Sequence, residues 1–150
     1  MTAAVFLDAG PLGMVSHRGG VEEIDACQRW LRRLLQRGVR IVIPEIADYE
    51  IRRELIRARK HRGIERLDAL AASLEYLPLT TTAMRRAATM WAEIRQHGFP
   101  TADPKALDGD VILAAQALTS GLPGTDLVVA TTNVGHLARL VPAALWREIG

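Results

Sequence analysis

Three acidic residues lie where strands are expected to end or helices to begin. Asp8 follows the apolar run at residues 3–7, and Glu50 and Asp110 each lie near the start of a predicted helix. Because open α/β sheets bind their ligands at the carboxyl ends of the strands, we expect the three carboxylates to converge at one sheet edge. Hard oxygen donors of this kind suit Mg²⁺ or Mn²⁺, and without a cation they would repel one another.

A cation held by such acids points to hydrolysis at phosphorus. One or two bound ions activate a water molecule and stabilise an in-line displacement. The sequence has no Gly-rich phosphate loop ending in Lys-Ser/Thr, no Gly-x-Ser-x-Gly and no His-Glu-x-x-His. A dehalogenase-type phosphatase needs a second Asp two residues after its first, where this chain has Gly10. These other enzyme classes are therefore disfavoured.

Two of the acids also have other interpretations. Asp8 can be a turn carboxylate that caps the following helix, since a Gly-Pro pair comes two residues later. In the helix that carries Glu50, Glu45 or Glu54 can be the acid that points inward instead. We interpret Asp8 and Glu50 as site residues.

The other polar candidates have similar alternatives. Asp110 and Asp108 fall in the predicted first turn of one helix, where negative charge is favoured by the helix dipole alone. Thr131 and Asn133 can simply form the turn that ends a strand. We interpret Asp110 as a site acid and leave Asp108 open between the two roles.

The predicted elements that position these residues alternate between strand and helix. Apolar runs predict strands at 3–7, 39–43, 76–79 and 126–133, and a last strand or helical tail at 141–149. Helical spacing and end signals predict helices at 11–17, 21–36, 44–59, 64–75, 83–96 and 107–118, with Thr80, Thr81 or Thr82 as a cap and a loop at 99–104. We predict one α/β domain over residues 1–150, with a mostly parallel sheet of four to five strands flanked by helices.

Composition narrows the class of protein further. The 150 residues are 49% hydrophobic and carry a net charge of +2, so global charge does not indicate nucleic-acid binding. Arginines are crowded at 29–40 and 52–66, where they either contact phosphates or cover ordinary solvated helix faces. No apolar run is long enough to span a membrane, the N-terminus does not resemble a signal peptide, and Cys27 fits a helix core. We expect a cytoplasmic protein.

Four stretches together resemble the PIN-domain ribonucleases, and within them the VapC-type toxins of bacterial toxin–antitoxin pairs. They are Leu7-Asp8 after the first strand, residues 43–50 (IPEIADYE), residues 110–115 (DVILAA) and residues 131–133 (TTN). The resemblance covers essentially the whole chain, in order. It implies a single PIN-like domain and a Mg²⁺- or Mn²⁺-dependent endoribonuclease.

The resemblance also implies roles for individual residues. Asp8, Glu50 and Asp110 would be the metal-binding acids, and the hydroxyl of Thr131 would help to hold them. The family's fourth acidic position falls on Asn133, which brings no charge, and Asp108 would compensate for it as a further metal ligand. Family membership further implies an RNA substrate, a homodimer and a small antitoxin protein that blocks the site.

A second hypothesis follows from Asn133. A chain lacking one acid can be a catalytically inactive PIN-like module that binds RNA or protein. The three remaining acids favour the enzyme, because an inactive fold would gain stability by losing their repulsion. Binding of a divalent metal ion distinguishes the two hypotheses.

Overall fold

The central element is a five-stranded, wholly parallel sheet. The computed structural model describes residues 2–98 and 104–150, and the side chains at 104–106 are not described. The strands are β1 (Ala4–Leu7), β2 (Arg40–Pro44), β3 (Glu75–Leu77), β4 (Leu127–Thr131) and β5 (Ala143–Leu145), in the spatial order β3-β2-β1-β4-β5. The predicted α/β class with a parallel sheet of four to five strands is confirmed.

Six helices flank the sheet. They are α1 (Ala9–Val15), α2 (Glu22–Gln36), α3 (Glu45–Arg57), α4 (His61–Ser73), α5 (Thr81–Gln96) and α6 (Pro104–Leu118). Thr80 is the residue that caps α5, since its hydroxyl accepts a hydrogen bond from the Ala83 amide at 3.0 Å. One of the three threonines was predicted to do this, and the structure selects the first.

Three predicted helix starts were wrong. Helix α1 begins at Ala9 and not at Pro11, because the Asp8 side chain caps it. Helix α4 includes Gly63, which was predicted to separate two helices. Helix α6 begins at Pro104, which suits a first helical position because it has no amide hydrogen to leave unbonded, so Asp108 and Asp110 lie beyond the first turn. The rest of the loop predicted at 99–104 lies outside the described residues.

The hydrophobic core has one part on each face of the sheet. Along β1, Ala4 and Phe6 contribute to the part that includes α5 and α6, and Val5 and Leu7 to the part that includes α1 and α2. This alternation is the two-residue period of a strand that is covered on both faces. Such a strand reads as a continuous apolar run, which is why β1 was recognisable in the sequence.

The C-terminal segment contains both of the structures predicted for it. Strand β5 pairs with β4 and is followed by a 3₁₀ turn at Trp146–Glu148. Trp146 packs against Trp30, with ring centroids 5.7 Å apart, and the Trp30 indole donates a hydrogen bond to the Ile149 carbonyl at 2.8 Å. These contacts attach the end of the chain to α2.

The structure also bears on membrane insertion and on the reactivity of Cys27. No helix within residues 2–98 and 104–150 is long and apolar enough to cross a membrane. Cys27 is buried in the core as predicted, and burial raises the pKa of its thiol to about 12. A thiol with that pKa stays protonated at neutral pH and is a poor nucleophile.

Candidate active site

Asp8 joins strand β1 to helix α1 at the centre of the sheet. Its Oδ1 atom accepts a hydrogen bond from the Ala9 amide at 2.7 Å. Its Oδ2 atom accepts one from the Thr131 hydroxyl at 2.8 Å. In the sequence, the capping role and the site position of Asp8 were alternatives. In the structure, Asp8 both caps α1 and contacts Thr131. It lies where the strand order reverses between β1 and β4, the place where open α/β sheets form binding crevices.

Thr131 is the last residue of β4 and is buried, whereas Asn133 is exposed two residues later. The Asn133 amide donates a hydrogen bond to the Thr131 hydroxyl oxygen at 3.2 Å. The contact between these two residues therefore uses the backbone of Asn133 and not its carboxamide. Thr131 supports the Asp8 carboxylate, and Asn133 supports Thr131.

Glu50 extends from α3 towards α6. Both of its carboxylate oxygens lie 3.3 Å from the point where a Cβ on Gly109 would stand. Burial raises the pKa of Glu50, the charges of Asp8 and Asp110 raise it further, and the nearby guanidinium of Arg53 opposes them. The glycine therefore makes room for a carboxylate that is destabilised by its two acidic neighbours.

Asp110 is the third member of this group. Burial and the charge of Asp8 raise its pKa to about 6, against a partial opposing effect of His136. The structure thus brings Asp8, Glu50 and Asp110 within electrostatic reach of one another, from three different elements. Neither Glu50 nor Asp110 accepts a hydrogen bond from any described residue.

The other acids of α3 have separate partners. The Glu45 carboxylate accepts a hydrogen bond from the Leu79 amide at 2.7 Å, and Glu54 forms an ion pair with Arg57 at 2.7 Å. Glu50 is therefore the α3 acid that faces the other two.

Asp108 lies on a different side of α6 from Asp110. Residues two apart differ by about 200° around a helix, and Asp108 is exposed. It lines a shallow cleft of about 280 Å³ between α5 and α6, together with the apolar side chains of Met84 and Trp91. Its role as a metal ligand stays a prediction, and this position does not bring it to the three acids.

Two residues that position α3 were missed in the sequence. Gln116 is buried, and its carboxamide accepts a hydrogen bond from the Ile46 amide at 3.1 Å and donates one to the Leu77 carbonyl at 2.9 Å. Asp48 is buried and accepts hydrogen bonds from Arg52 and from the Tyr76 hydroxyl. The four-residue spacing of Asp48 and Arg52 was the only signal available, and it also fits an ordinary surface ion pair.

The donor chemistry of the three acids fits a hard divalent cation. Carboxylate oxygens are the ligands that Mg²⁺ and Mn²⁺ prefer, and a cation would offset the repulsion that raises two of the pKa values. Among the described residues, no three His, Cys, Asp or Glu side chains already stand in the arrangement that holds one metal ion. Coordination would therefore require rotation of these side chains.

Comparison with known proteins places the fold. No protein-family model and no curated protein sequence matches this chain. Among solved structures, this chain aligns with one from VapBC2 of Rickettsia felis bound to a DNA fragment from the promoter, with a TM-score of 0.73 at 16% identity. The alignment covers 95% of this chain and 98% of that one. For FitAcB from Neisseria gonorrhoeae the TM-score is 0.67 at 18% identity, covering 97% of this chain and 99% of that one.

A third structure gives the same result. DNA-bound VapBC from Salmonella typhimurium aligns with a TM-score of 0.65 at 21% identity, covering 97% of this chain and 99% of that one. At these identities the likeness establishes the fold, which is that of a PIN-like α/β domain. The architecture is the one found in VapBC structures, in agreement with the resemblance of four sequence stretches to VapC-type toxins.

Proposed function

We propose that this chain is a metal-dependent endoribonuclease of the VapC type, which hydrolyses RNA phosphodiester bonds. The observation that supports the proposal is the meeting of Asp8, Glu50 and Asp110 at the β1–β4 edge, where burial and the neighbouring carboxylates raise the pKa values of Glu50 and Asp110. Perturbed acids gathered at a crevice are typical of functional sites. A fold that binds no cation would gain stability if these acids were replaced.

The three carboxylates would hold Mg²⁺ or Mn²⁺, which would supply Lewis-acid activation of water and of the scissile phosphate. Asp8 is oriented for this by Thr131 and by the Ala9 amide, so little side-chain entropy is lost when it binds. Glu50 has room to move because Gly109 has no side chain. Asp108 and Asn133 are proposed as a further ligand and as a water-positioning group, and each can be tested by substitution.

Cleavage of RNA by matched variants tests the proposal. Labelled total tRNA and messenger RNA are incubated with wild type, Asp8→Asn, Glu50→Gln or Asp110→Asn, with Mn²⁺ and then with EDTA. The control is Asp126→Asn, which makes the same change in the turn before β4, at the opposite edge of the sheet. We expect cleavage by wild type and by the control, with loss in EDTA and in all three site variants.

The other results separate the alternatives. Equal cleavage by wild type and Asp8→Asn indicates a contaminating nuclease and contradicts the proposal. Folded protein that neither binds Mn²⁺ nor cleaves RNA favours the inactive RNA- or protein-binding module, and Asn133→Asp is then the next variant. Asp108→Asn is measured alongside, because unchanged cleavage removes Asp108 from the ligand set.

We also propose a homodimer, an antitoxin partner protein and a cytoplasmic location. The support for association is the pair of exposed apolar side chains Met84 and Trp91, which are 44% and 39% exposed beside the α5–α6 cleft. The mass of the purified chain by light scattering, with Trp91→Glu as the variant, tests the dimer. A wild-type monomer at micromolar concentration contradicts it.

A further inference from the structure

A basic groove lies at the C-terminal ends of α1, which Asp8 caps, and of α3, which carries Glu50. It lies between the end of α1, the second half of α3 and the start of α4, and has a volume of about 990 Å³. Three other clefts of the molecule have volumes of about 280 to 350 Å³. Six basic side chains line this groove: Arg18, Arg57, Arg59, Lys60, Arg62 and Arg66.

Most of this positive charge is not neutralised by the protein. The acid that lines the groove is Glu54, and it is paired with Arg57 at 2.7 Å. Four of the six basic side chains, Arg18, Arg59, Lys60 and Arg62, are exposed and form no ion pair with any described residue. Elsewhere on the surface, Arg29 is paired with Glu22 and Arg40 with Glu75. The groove therefore favours an anionic ligand.

The backbone of the groove is also unusual. Arg59 has a φ of 56°, and it is the one non-glycine residue in the described part of the chain with a positive φ. A left-handed conformation is costly for a residue with a side chain, and glycine would form this turn between α3 and α4 without that cost. Arg59 follows the C-cap of α3, so its positive φ belongs to the turn that ends this helix. Here it accompanies a basic side chain at the groove.

The floor of the groove is formed by close helix packing. A Cβ on Gly63 would lie 2.8 Å from Cδ2 of Leu55, so a larger residue here would have to displace that side chain. Arg66 donates a hydrogen bond from Nε to the Ser16 carbonyl at 2.9 Å, which ties α4 to the end of α1. Three elements thus fix the backbone that carries the basic side chains before any ligand binds.

The three site acids do not line the groove, but two helices connect them to it. Glu54 lies one turn beyond Glu50 on α3, a rise of about 6 Å. Gly13 lines the groove on α1, the helix that Asp8 caps. About one helical turn along α3 therefore separates Glu50 from the first acid of the groove.

We propose that this α1–α3–α4 groove binds the phosphate backbone of single-stranded RNA beside the bond that is cut. The proposal takes its ligand from the proposed ribonuclease function and assigns the RNA path to one face of the chain. Arginine heads suit phosphates because they are planar and offer several donors. Four arginines of the 52–66 region line this groove, namely Arg57, Arg59, Arg62 and Arg66. In the 29–40 region, three arginines already contact other groups: Arg29 contacts Glu22, Arg37 the Gly150 carbonyl and Arg40 Glu75.

Binding, measured without cleavage, tests the proposal. A fluorescein-labelled 20-nucleotide single-stranded RNA is titrated with full-length Asp8→Asn, and anisotropy is followed from 50 to 300 mM salt. The groove variant adds Arg59→Gln, Lys60→Gln and Arg62→Gln. The matched control adds Arg32→Gln, Arg85→Gln and Arg86→Gln, three exposed residues on α2 and α5 with the same total charge change.

We expect the groove variant to bind RNA at least tenfold more weakly at 100 mM salt, and the control less than twofold. The slope of log K against log salt should fall by about 2 in the groove variant, since each lost phosphate contact on a single strand changes it by about 0.7. Equal weakening in both variants, no weakening in either, or no RNA binding by the parent contradicts the proposal.

Two further measurements keep the result interpretable. Arg59→Gly removes one basic side chain and relaxes the turn, so reduced RNA affinity in a protein of equal or higher Tm cannot be ascribed to misfolding. A 20-residue peptide of mixed Asp, Glu and Leu serves as competitor. If it binds more tightly than RNA and loses affinity in the groove variant, the groove recognises an acidic protein segment and the RNA path is wrong.

The design separates this proposal from the ribonuclease proposal. Because the binding parent is Asp8→Asn, the assay does not depend on catalysis. RNA binding that is lost in the groove variant, in a chain whose wild type cleaves nothing, supports the groove and contradicts the nuclease. Cleavage by wild type, together with unchanged RNA binding in the groove variant, supports the nuclease and contradicts the groove.

Discussion

The Thr131 hydroxyl donates a hydrogen bond to Oδ2 of Asp8 at 2.8 Å, across the ends of two neighbouring parallel strands. The register that pairs Leu7 with Ala130 makes this contact possible, because it puts the next residue of each strand side by side. The bond fixes the carboxylate at the centre of the candidate site. It also fills one lone pair of an oxygen that would otherwise bind water.

Replacement of this hydroxyl should separate activity from stability. We expect Thr131→Val to lower RNA cleavage about tenfold. It should also lower the free energy of unfolding by about 1 kcal/mol, because one hydrogen bond to a charged group is lost while the shape is kept. Thr131→Ser keeps the hydroxyl and should retain most of the activity. Cleavage rates with Mn²⁺ and Tm values in EDTA provide the test, and full activity in Thr131→Val contradicts the positioning role.

Gly109 offers a test of the space around Glu50. A Cβ at this position would lie 3.3 Å from both Glu50 oxygens, so Gly109→Ala should displace the carboxylate. Inside a helix the same change adds up to about 1 kcal/mol of stability. We therefore expect an unchanged or higher Tm together with weaker Mn²⁺ binding in calorimetry.

The control for Gly109→Ala is Gly124→Ala. A Cβ on Gly124 would meet nothing within 4 Å. It should leave Mn²⁺ binding as in wild type. Equal Mn²⁺ affinity in wild type and Gly109→Ala would show that Glu50 does not contribute to the metal site.

The acidic cluster should make stability depend on pH in the absence of metal. The pKa of Asp110 is raised to about 6, so between about pH 4 and pH 6 the folded chain binds the proton more tightly than the unfolded chain. Its contribution to stability is therefore present at low pH and is lost as the pH rises through that range. The raised pKa of Glu50 acts in the same direction.

Asp110→Asn should remove this dependence. In EDTA at pH 7 we expect the variant to be about 1 to 2 kcal/mol more stable than wild type, a figure reduced from the full pKa shift because the site is partly solvated. At pH 4 the difference should nearly vanish. Urea denaturation at both pH values measures it, and an equal gain at pH 4 and pH 7 would point to a cause other than charge.

The network around Asp48 should contribute stability rather than chemistry. Arg52 donates to Oδ1 of Asp48 at 2.7 Å and the Tyr76 hydroxyl donates to Oδ2 at 3.0 Å, which ties α3 to β3. We expect Asp48→Ala to cost about 2 to 3 kcal/mol and Tyr76→Phe about 1 kcal/mol. The Tyr76 pKa is raised by burial and by Asp48, so the phenol stays a donor.

Asp68→Ala is the matched control for that network. It removes the exposed partner of Arg52, and an exposed ion pair contributes less than about 1 kcal/mol. Urea denaturation of the three variants gives the comparison. A cost for Asp68→Ala as large as that for Asp48→Ala contradicts the view that burial makes the difference.

The sequence by itself determined the strands of the core and the polar residues at their ends. β1 and β4 are covered on both faces, so they appear as short apolar runs, and the polar residue after each run marks the sheet edge. Asp8 and Thr131 could be read in this way. The amphipathic period of α2 was equally clear, because a single face of that helix packs on the sheet.

Tertiary structure alone decided which acid of α3 faces the site and where Asp108 lies. The local sequence does not distinguish the three glutamates of α3. Glu45 bonds to the Leu79 amide and Glu50 lies beside Gly109, and both partners are distant in sequence. Glu54 pairs with Arg57, a spacing that any helix surface can offer. Asp108 and Asp110 differ by about 200° around α6, and the packing of α6 on α5 decides that Asp108 lies at the α5–α6 cleft. Helical period fixes relative directions around an axis, but only packing fixes which direction is inward.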